Sequence, residues 1–220
     1  MVEGGVAAAQ IEVVYSGVPA PGAVTPRRWR EELGWPESAV ICGVVGAMTA
    51  EKGVPLLVHI AAHLPDAARE RCHLLLLGGQ ASGAMTMGGA LAFRAGFVDQ
   101  IHAAMAGLDL LWHPARAEGL GTAVIDAMAL GVPPVAFAVG GLVELIESER
   151  SGVLVPAGSV EDFAREAARL ILDPELRRSL AGEGPARAAQ FSVERMLNGT
   201  AAVYARVLAG RRDPIKSERG

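Results

Sequence analysis

Short apolar runs alternate with amphipathic stretches along almost the whole chain. Runs at 40–45, 74–77, 90–95, 109–114, 135–138 and 153–155 are apolar nearly throughout, the pattern of strands covered on both faces. An apolar run at 11–15 opens the series, and the turn-rich segment 17–22 follows it as a connector. Between the runs the period changes. Leu56, Leu57, Ile60, Ala61 and Leu64 share one helical face, and 123–130 reads as a second helix. Thr25-Pro26 marks the start of a short helix, Asp99 caps another, and Gly140-Gly141 precedes a third. Ser159 opens a helix to 172, and 174 to about 208 is helical with Ser192 as a second cap. The glycine- and methionine-rich stretch 78–89 has no clear period and reads as a loop. Residues 1–10 form an N-terminal tail, 211–220 a polar tail, and 11–210 one domain without internal repeats. Strands alternating with helices predict an α/β fold, a doubly wound parallel sheet of the Rossmann-like kind.

Composition narrows the class. The chain of 220 residues is 51% hydrophobic and 20% charged, enough for one full core. A formal net charge of -4 and 5% aromatic residues argue against a nucleic-acid partner. No apolar run reaches the roughly 18 residues of a membrane span, and no signal-peptide pattern opens the chain. Cys42 and Cys72 make no disulfide framework and read as buried thiols in a reducing compartment, so a cytoplasmic protein is expected. His59 and His63 stand one helical turn apart but lack a third ligand, and no metal site is expected.

The polar residues that interrupt the pattern gather just past the carboxyl ends of the expected strands. Lys52 lies in 46–53, Gly78-Gly79 follow the second strand, and Phe97-Val98 follow the third. Glu118 follows the fourth and Gly140-Gly141 the fifth. In open α/β sheets that edge is where ligands bind. The densest stretch is 118–129, in which Glu118 sits in a loop, Gly119 and Gly121 form a turn, and Asp126 lies on the helix that follows. A helix N-terminus behind a glycine turn holds an anion, and two carboxylates beside it suit sugar hydroxyls. The expected ligand is a sugar nucleotide. Lys52 is one of only two lysines, against 18 arginines, and an ammonium suits a diphosphate as a point charge. Each residue also has a plainer reading. Lys52 can be a solvated charge at a helix start, Glu118 an acid favoured by the helix dipole, and Asp126 a solvent-facing helix position. His113, next to Pro114, can face the pocket, although a strand-end histidine is more often packed; His102, Arg116 and Glu144 are expected to be structural.

In this order and spacing the motifs are similar to the C-terminal, donor-binding half of a GT-B glycosyltransferase of the retaining family 4 type. Gly46 to Gly53 resembles that family's glycine, arginine, variable, lysine-glycine loop. Pro114 with Glu118 to Gly121 resembles its proline then acid-glycine-x-glycine segment, and Glu118 to Asp126 its acid, seven residues, acid motif. Ala127 to Pro133 and Gly140 to Glu144 resemble the segments that follow, and the likeness runs from about 11 to 208. It implies retaining hexosyl transfer from a nucleoside diphosphate sugar, such as a UDP- or GDP-sugar, with no metal and no other cofactor. The absence of an Asp-x-Asp pair agrees with that. It implies Lys52 and Glu118 as catalytic residues, with the donor held by Gly46, Lys52, Phe97, Glu118, Gly119, Leu120, Gly121, Thr122 and Asp126. An N-terminal GT-B domain carrying the acceptor side would lie outside these 220 residues. Two other functions stay open: a non-catalytic or regulatory sugar-nucleotide-binding module, and half of a GT-B sugar-nucleotide 2-epimerase. Three positions depart from the family pattern. Ala47-Met48 stand where an arginine is usual, Asp126 is one methylene shorter than the usual glutamate, and 79–89 is short where relatives place an extra helix.

Overall fold

The computed structural model describes residue 7 and residues 10–210. Two compact units are present, Ala20–Ala189 and a smaller one drawn from the described parts of Met1–Pro19 and Gln190–Gly220.

The larger unit is built on a seven-stranded sheet: β1 Val40–Val45, β2 Cys72–Leu77, β3 Gly83–Met87, β4 Ala90–Gly96, β5 Leu110–His113, β6 Pro134–Phe137 and β7 Val153–Val155. Its order is β3-β4-β2-β1-β5-β6-β7. Every pair is parallel except β3 with β4. Around it lie α1 Trp29–Leu33, α2 Leu57–Ala62, α3 Asp66–Arg71, α4 Ile101–Ala106, α5 Thr122–Ala129, α6 Leu142–Leu145, α7 Val160–Leu172 and α8 Pro174–Ala188. The central strands are buried throughout except at Val45, the partly buried end of β1, as the unbroken apolar runs imply. Alternate side chains serve alternate faces. Val40, Cys42 and Val44 join Leu74, Leu76, Leu110 and Trp112 in one core with Leu57, Ile60 and Phe163 of α2 and α7. The intervening Ile41, Leu75 and Leu111 are equally buried on the other face. There the Trp29 indole donates to the Ala104 carbonyl at 2.8 Å, tying α1 to α4. The doubly wound fold class therefore holds. The reversal of strand order falls at β1, which has β2 on one side and β5, reached from β4 through α4, on the other.

Local differences have physical causes. Segment 78–89 is not a loop throughout: it contains β3, whose side chains alternate between partly buried and exposed as the sheet edge requires. α3 was not expected, because six residues carry too little periodicity to register. α1 begins at Trp29 rather than at Thr25-Pro26, and its preceding residue Arg28 makes no side-chain cap. Asp99 does not cap α4; Gln100 occupies that position, also without a side-chain hydrogen bond. Ser159 and Asp173 do cap α7 and α8, accepting the amides of Asp162 at 3.4 Å and Leu176 at 3.0 Å.

In the smaller unit, α9 Val193–Gly210 begins after Ser192, whose hydroxyl accepts the Arg195 amide at 3.3 Å. The run 11–15 joins no ladder. Just beyond it the Val18 amide donates to the Phe191 carbonyl at 2.9 Å, and the Tyr15 ring meets Phe191 edge-on at 5.4 Å. Of the expected tails 1–10 and 211–220, residues 1–6, 8–9 and 211–220 lie outside the described residues.

Candidate active site

The strand-end segments meet in an unbroken rim. The Gly78 amide donates to the Gly96 carbonyl at 2.7 Å, and Gly46 donates to Leu77 at 3.0 Å, so the ends of β4, β2 and β1 are laced together. The loop after β1 then closes on the loop after β5. Gly53 has φ +74, and a Cβ there would lie 1.8 Å from the Pro114 carbonyl oxygen, so no other residue fits without moving the backbone. The Arg116 amide donates to the Glu51 carbonyl at 2.9 Å and secures the same junction. Gly140, at φ +49, brings the loop after β6 equally close; its Cβ would meet the Glu118 carbonyl oxygen at 1.8 Å. The sequence placed five segments at this edge, and the contacts join all five.

At the junction Lys52 Nζ donates to Glu118 Oε2 at 2.7 Å. His113 Nε2 lies 2.9 Å from the same oxygen, and the Gly119 amide donates to Glu118 Oε1 at 3.1 Å. The Glu118 side chain is 12% exposed and Lys52 31%, so the acid is held and the ammonium can still be reached. The His113 ring, then the Lys52 ammonium, hold the Glu118 carboxyl down at about 2, against a desolvation that acts the other way. His113 is thus not merely a packed strand-end residue. It is buried, and it fixes the acid five positions ahead of it. A histidine beside proline at a strand end was the available signal, but only the turn of the chain at 114–118 shows what it meets.

Behind this cluster α5 starts at Thr122 after Gly121, and no side chain caps it. The Val124 and Ile125 amides donate to the Gly121 carbonyl at 2.9 and 3.1 Å, which leaves the amides ahead of them, at Thr122 and Ala123, as the ones a helix start offers to an anion. Gly119 and Leu120 form the turn leading to it. The second motif acid behaves differently from the first. Asp126 lies one turn into α5, its side chain 18% exposed, with Oδ1 3.4 Å from His102 Nε2 on α4. That separation is long for a hydrogen bond, and Oδ1 is enclosed with no hydrogen-bond partner among the described residues. Burial pushes the Asp126 carboxyl up, and His102 offsets this only in part. Phe97, by contrast, stands 81% exposed. It lines a cavity of about 730 Å³ together with Trp29, Val98, Asp99 and Gln100. A neighbouring cavity of about 430 Å³ is lined by Thr25, Asp99, Gln100 and His102. Neither hollow includes Lys52 or Glu118, so the site rests on side-chain geometry. Among the described residues no group of three His, Cys, Asp or Glu is placed to hold a metal ion.

Residues 26–187 match the family described as glycosyl transferases group 1. The chain belongs to that family. It is 31% identical to a D-inositol 3-phosphate glycosyltransferase of Streptomyces bingchenggensis over 92% of its own length and 49% of the relative's. It is 32% identical to a 2-deoxystreptamine glucosyltransferase of Streptomyces kanamyceticus over 88% of its length and 52% of the relative's. It therefore spans about half the length of the curated relatives it matches. Among solved structures, Anabaena Alr3699/HepE in complex with UDP superposes with a TM-score of 0.78 at 22% identity, covering 93% of this chain and 60% of that one. The sucrose-phosphate synthase of Thermosynechococcus elongatus superposes at 0.74 with 26% identity, covering 90% and 53%. These neighbours share the GT-B fold, and the sheet described above is the Rossmann-like half of it. Among the described residues no helix of this group 1 glycosyltransferase chain is long and apolar enough to cross a membrane.

Proposed function

We propose that the chain binds a nucleoside diphosphate sugar and forms the donor half of a retaining, metal-independent hexosyl transferase. The Lys52–Glu118–His113 cluster at the open start of α5 carries this reading. A diphosphate lying over that helix start meets the Lys52 ammonium and the amides at Gly121 and Thr122. The nucleoside extends toward Asp126 and Phe97, and the sugar lies against Glu118 and Gly119. As the bond from the sugar's anomeric carbon to the diphosphate breaks, its electron pair leaves with the diphosphate, and the growing charge falls on Lys52 and the helix amides. Stabilisation of developing charge by groups already in place is commonly the largest catalytic term. Glu118, ionised throughout the physiological range, accepts hydrogen bonds from sugar hydroxyls and sits beside the anomeric carbon as positive charge develops there. The new bond forms to an acceptor hydroxyl, whose proton passes to the departing diphosphate oxygen and whose site is expected on a second domain.

Calorimetric titration with nucleoside diphosphates tests the binding step. Lys52→Ala removes one charge-assisted contact, typically about 1.5–3 kcal/mol, or about ten- to a hundredfold in affinity. The loss is expected for the diphosphate and not for the free nucleoside. Equal diphosphate affinity in wild type and variant would refute the assignment.

A further inference from the structure

The His102–Asp126 pair does not look like an acid waiting for a ligand. Asp126 is the less exposed partner: its side chain is 18% exposed, and its enclosed Oδ1 lies 3.4 Å from the imidazole Nε2. His102 is the accessible partner, at 33% exposure. It lines the cavity of about 430 Å³ beside Thr25, Asp99 and Gln100, whereas Asp126 lines neither cavity. Nε2 faces the carboxylate, and Nδ1 has no partner among the described residues. A carboxylate facing Nε2 favours the tautomer with the proton on that nitrogen, which leaves Nδ1 as an acceptor.

From this we infer that His102, oriented by Asp126, is the group that contacts the ribose hydroxyls of the nucleotide, and that Asp126 is its positioning residue. The inference rests on the donor-binding reading. Position supports it independently of residue type. α5 begins at the proposed diphosphate end, and α4 begins just past Phe97 and the nucleoside-side cavity. A side chain reaching out between those two helix starts meets the unit that joins diphosphate to base, which is the pentose. The chemistry also fits. Nδ1 accepts from one hydroxyl of the vicinal diol, and the ring needs no lengthening of the acid to reach it.

Calorimetry with UDP and GDP, each alongside its 2′,3′-dideoxy counterpart, tests the assignment. The readout is the ratio of ribo to dideoxy affinity. In the wild type the ratio favours the ribonucleotide by about three- to tenfold, one or two hydrogen bonds' worth. His102→Ala abolishes the preference and leaves dideoxy binding within twofold. Asp126→Asn keeps the shape of the support and reduces the ratio less than His102→Ala does. His102→Asn, a small polar replacement, checks that the loss does not come from misfolding, as does an unchanged thermal midpoint. Two results overturn the inference. One is a wild type that binds ribo and dideoxy forms equally, which leaves donor binding itself standing. The other is a ratio that survives His102→Ala but collapses with Asp126→Ala, which returns the contact to the acid. A wild type that binds neither diphosphate refutes the donor-binding reading first and this inference with it.

Discussion

Glu118 and Asp126 share a motif and one face of the sheet edge, yet their surroundings drive their carboxyls in opposite directions. Glu118 gains His113 and Lys52 as partners, and its carboxyl falls to about 2 from a free value of 4.5. Its contribution to stability is then fully present above about 4.5 and lost as pH falls through about 2. Glu118→Gln is expected to cost about 1.5–3 kcal/mol at neutral pH, and the difference from wild type shrinks below pH 4.5. Thermal midpoints measured across that window check it; a constant difference down to pH 2 would show that the pair contributes no stability. Asp126 runs the other way. Burial raises its carboxyl, so its favourable contribution exists only at low pH and disappears as pH rises through the folded value. The sequence carries both acids but not this contrast. Asp126 and His102 stand 24 positions apart on separate helices, and no local pattern shows that they meet. His113 was legible only as a polar residue at a strand end, because its role arises from where the loop 114–118 returns.

Much of the element pattern was readable because burial on both faces leaves a continuous apolar run. All five parallel strands beside β4 carry that mark. β3 does not: as an edge strand it alternates, and glycine and methionine blur the alternation. α3 is hidden for a related reason, since Asp-Ala-Ala-Arg-Glu-Arg buries only Ala68. What holds the elements in working register is the contact between loops. Gly53 shows how little tolerance they have. Gly53→Ala places a Cβ against the Pro114 carbonyl at a backbone angle that favours glycine, and about 2–3 kcal/mol of destabilisation is expected. That lowers the thermal midpoint by about 4–12 °C. Gly182 in α8 has no neighbour within 4 Å of where a Cβ would sit. There Gly182→Ala should hold or raise the midpoint, since alanine favours the helix by about 1 kcal/mol. If both variants melt alike, the loop contact at Gly53 is not tight.

At the scale of the whole molecule, the proposed function makes the rim of strand-end loops one wall of a cleft. Transfer needs a second wall to bring the acceptor and exclude water. With this polypeptide as the sole protein, turnover of UDP- or GDP-hexose with a simple alcohol acceptor is expected to be negligible even where binding is tight. Substantial product in a radiolabelled-sugar assay would show that one wall suffices. The pairing of Lys52 with Glu118 has a further consequence for how the binding responds to ionic strength. A bare cationic pocket gathers counter-anions, and a ligand that displaces them binds more weakly as salt rises. Here the ammonium already has its counter-charge in the fold, so few mobile ions wait to be released. The chain as a whole carries a formal charge of -4, which repels an anionic ligand at long range until salt screens it. Affinity for a nucleoside diphosphate should therefore vary less than about threefold between about 20 and about 200 mM salt, a range over which the Debye length falls from roughly 20 to roughly 7 Å. A steep fall over that range would mean that Lys52 stands free of Glu118 in solution.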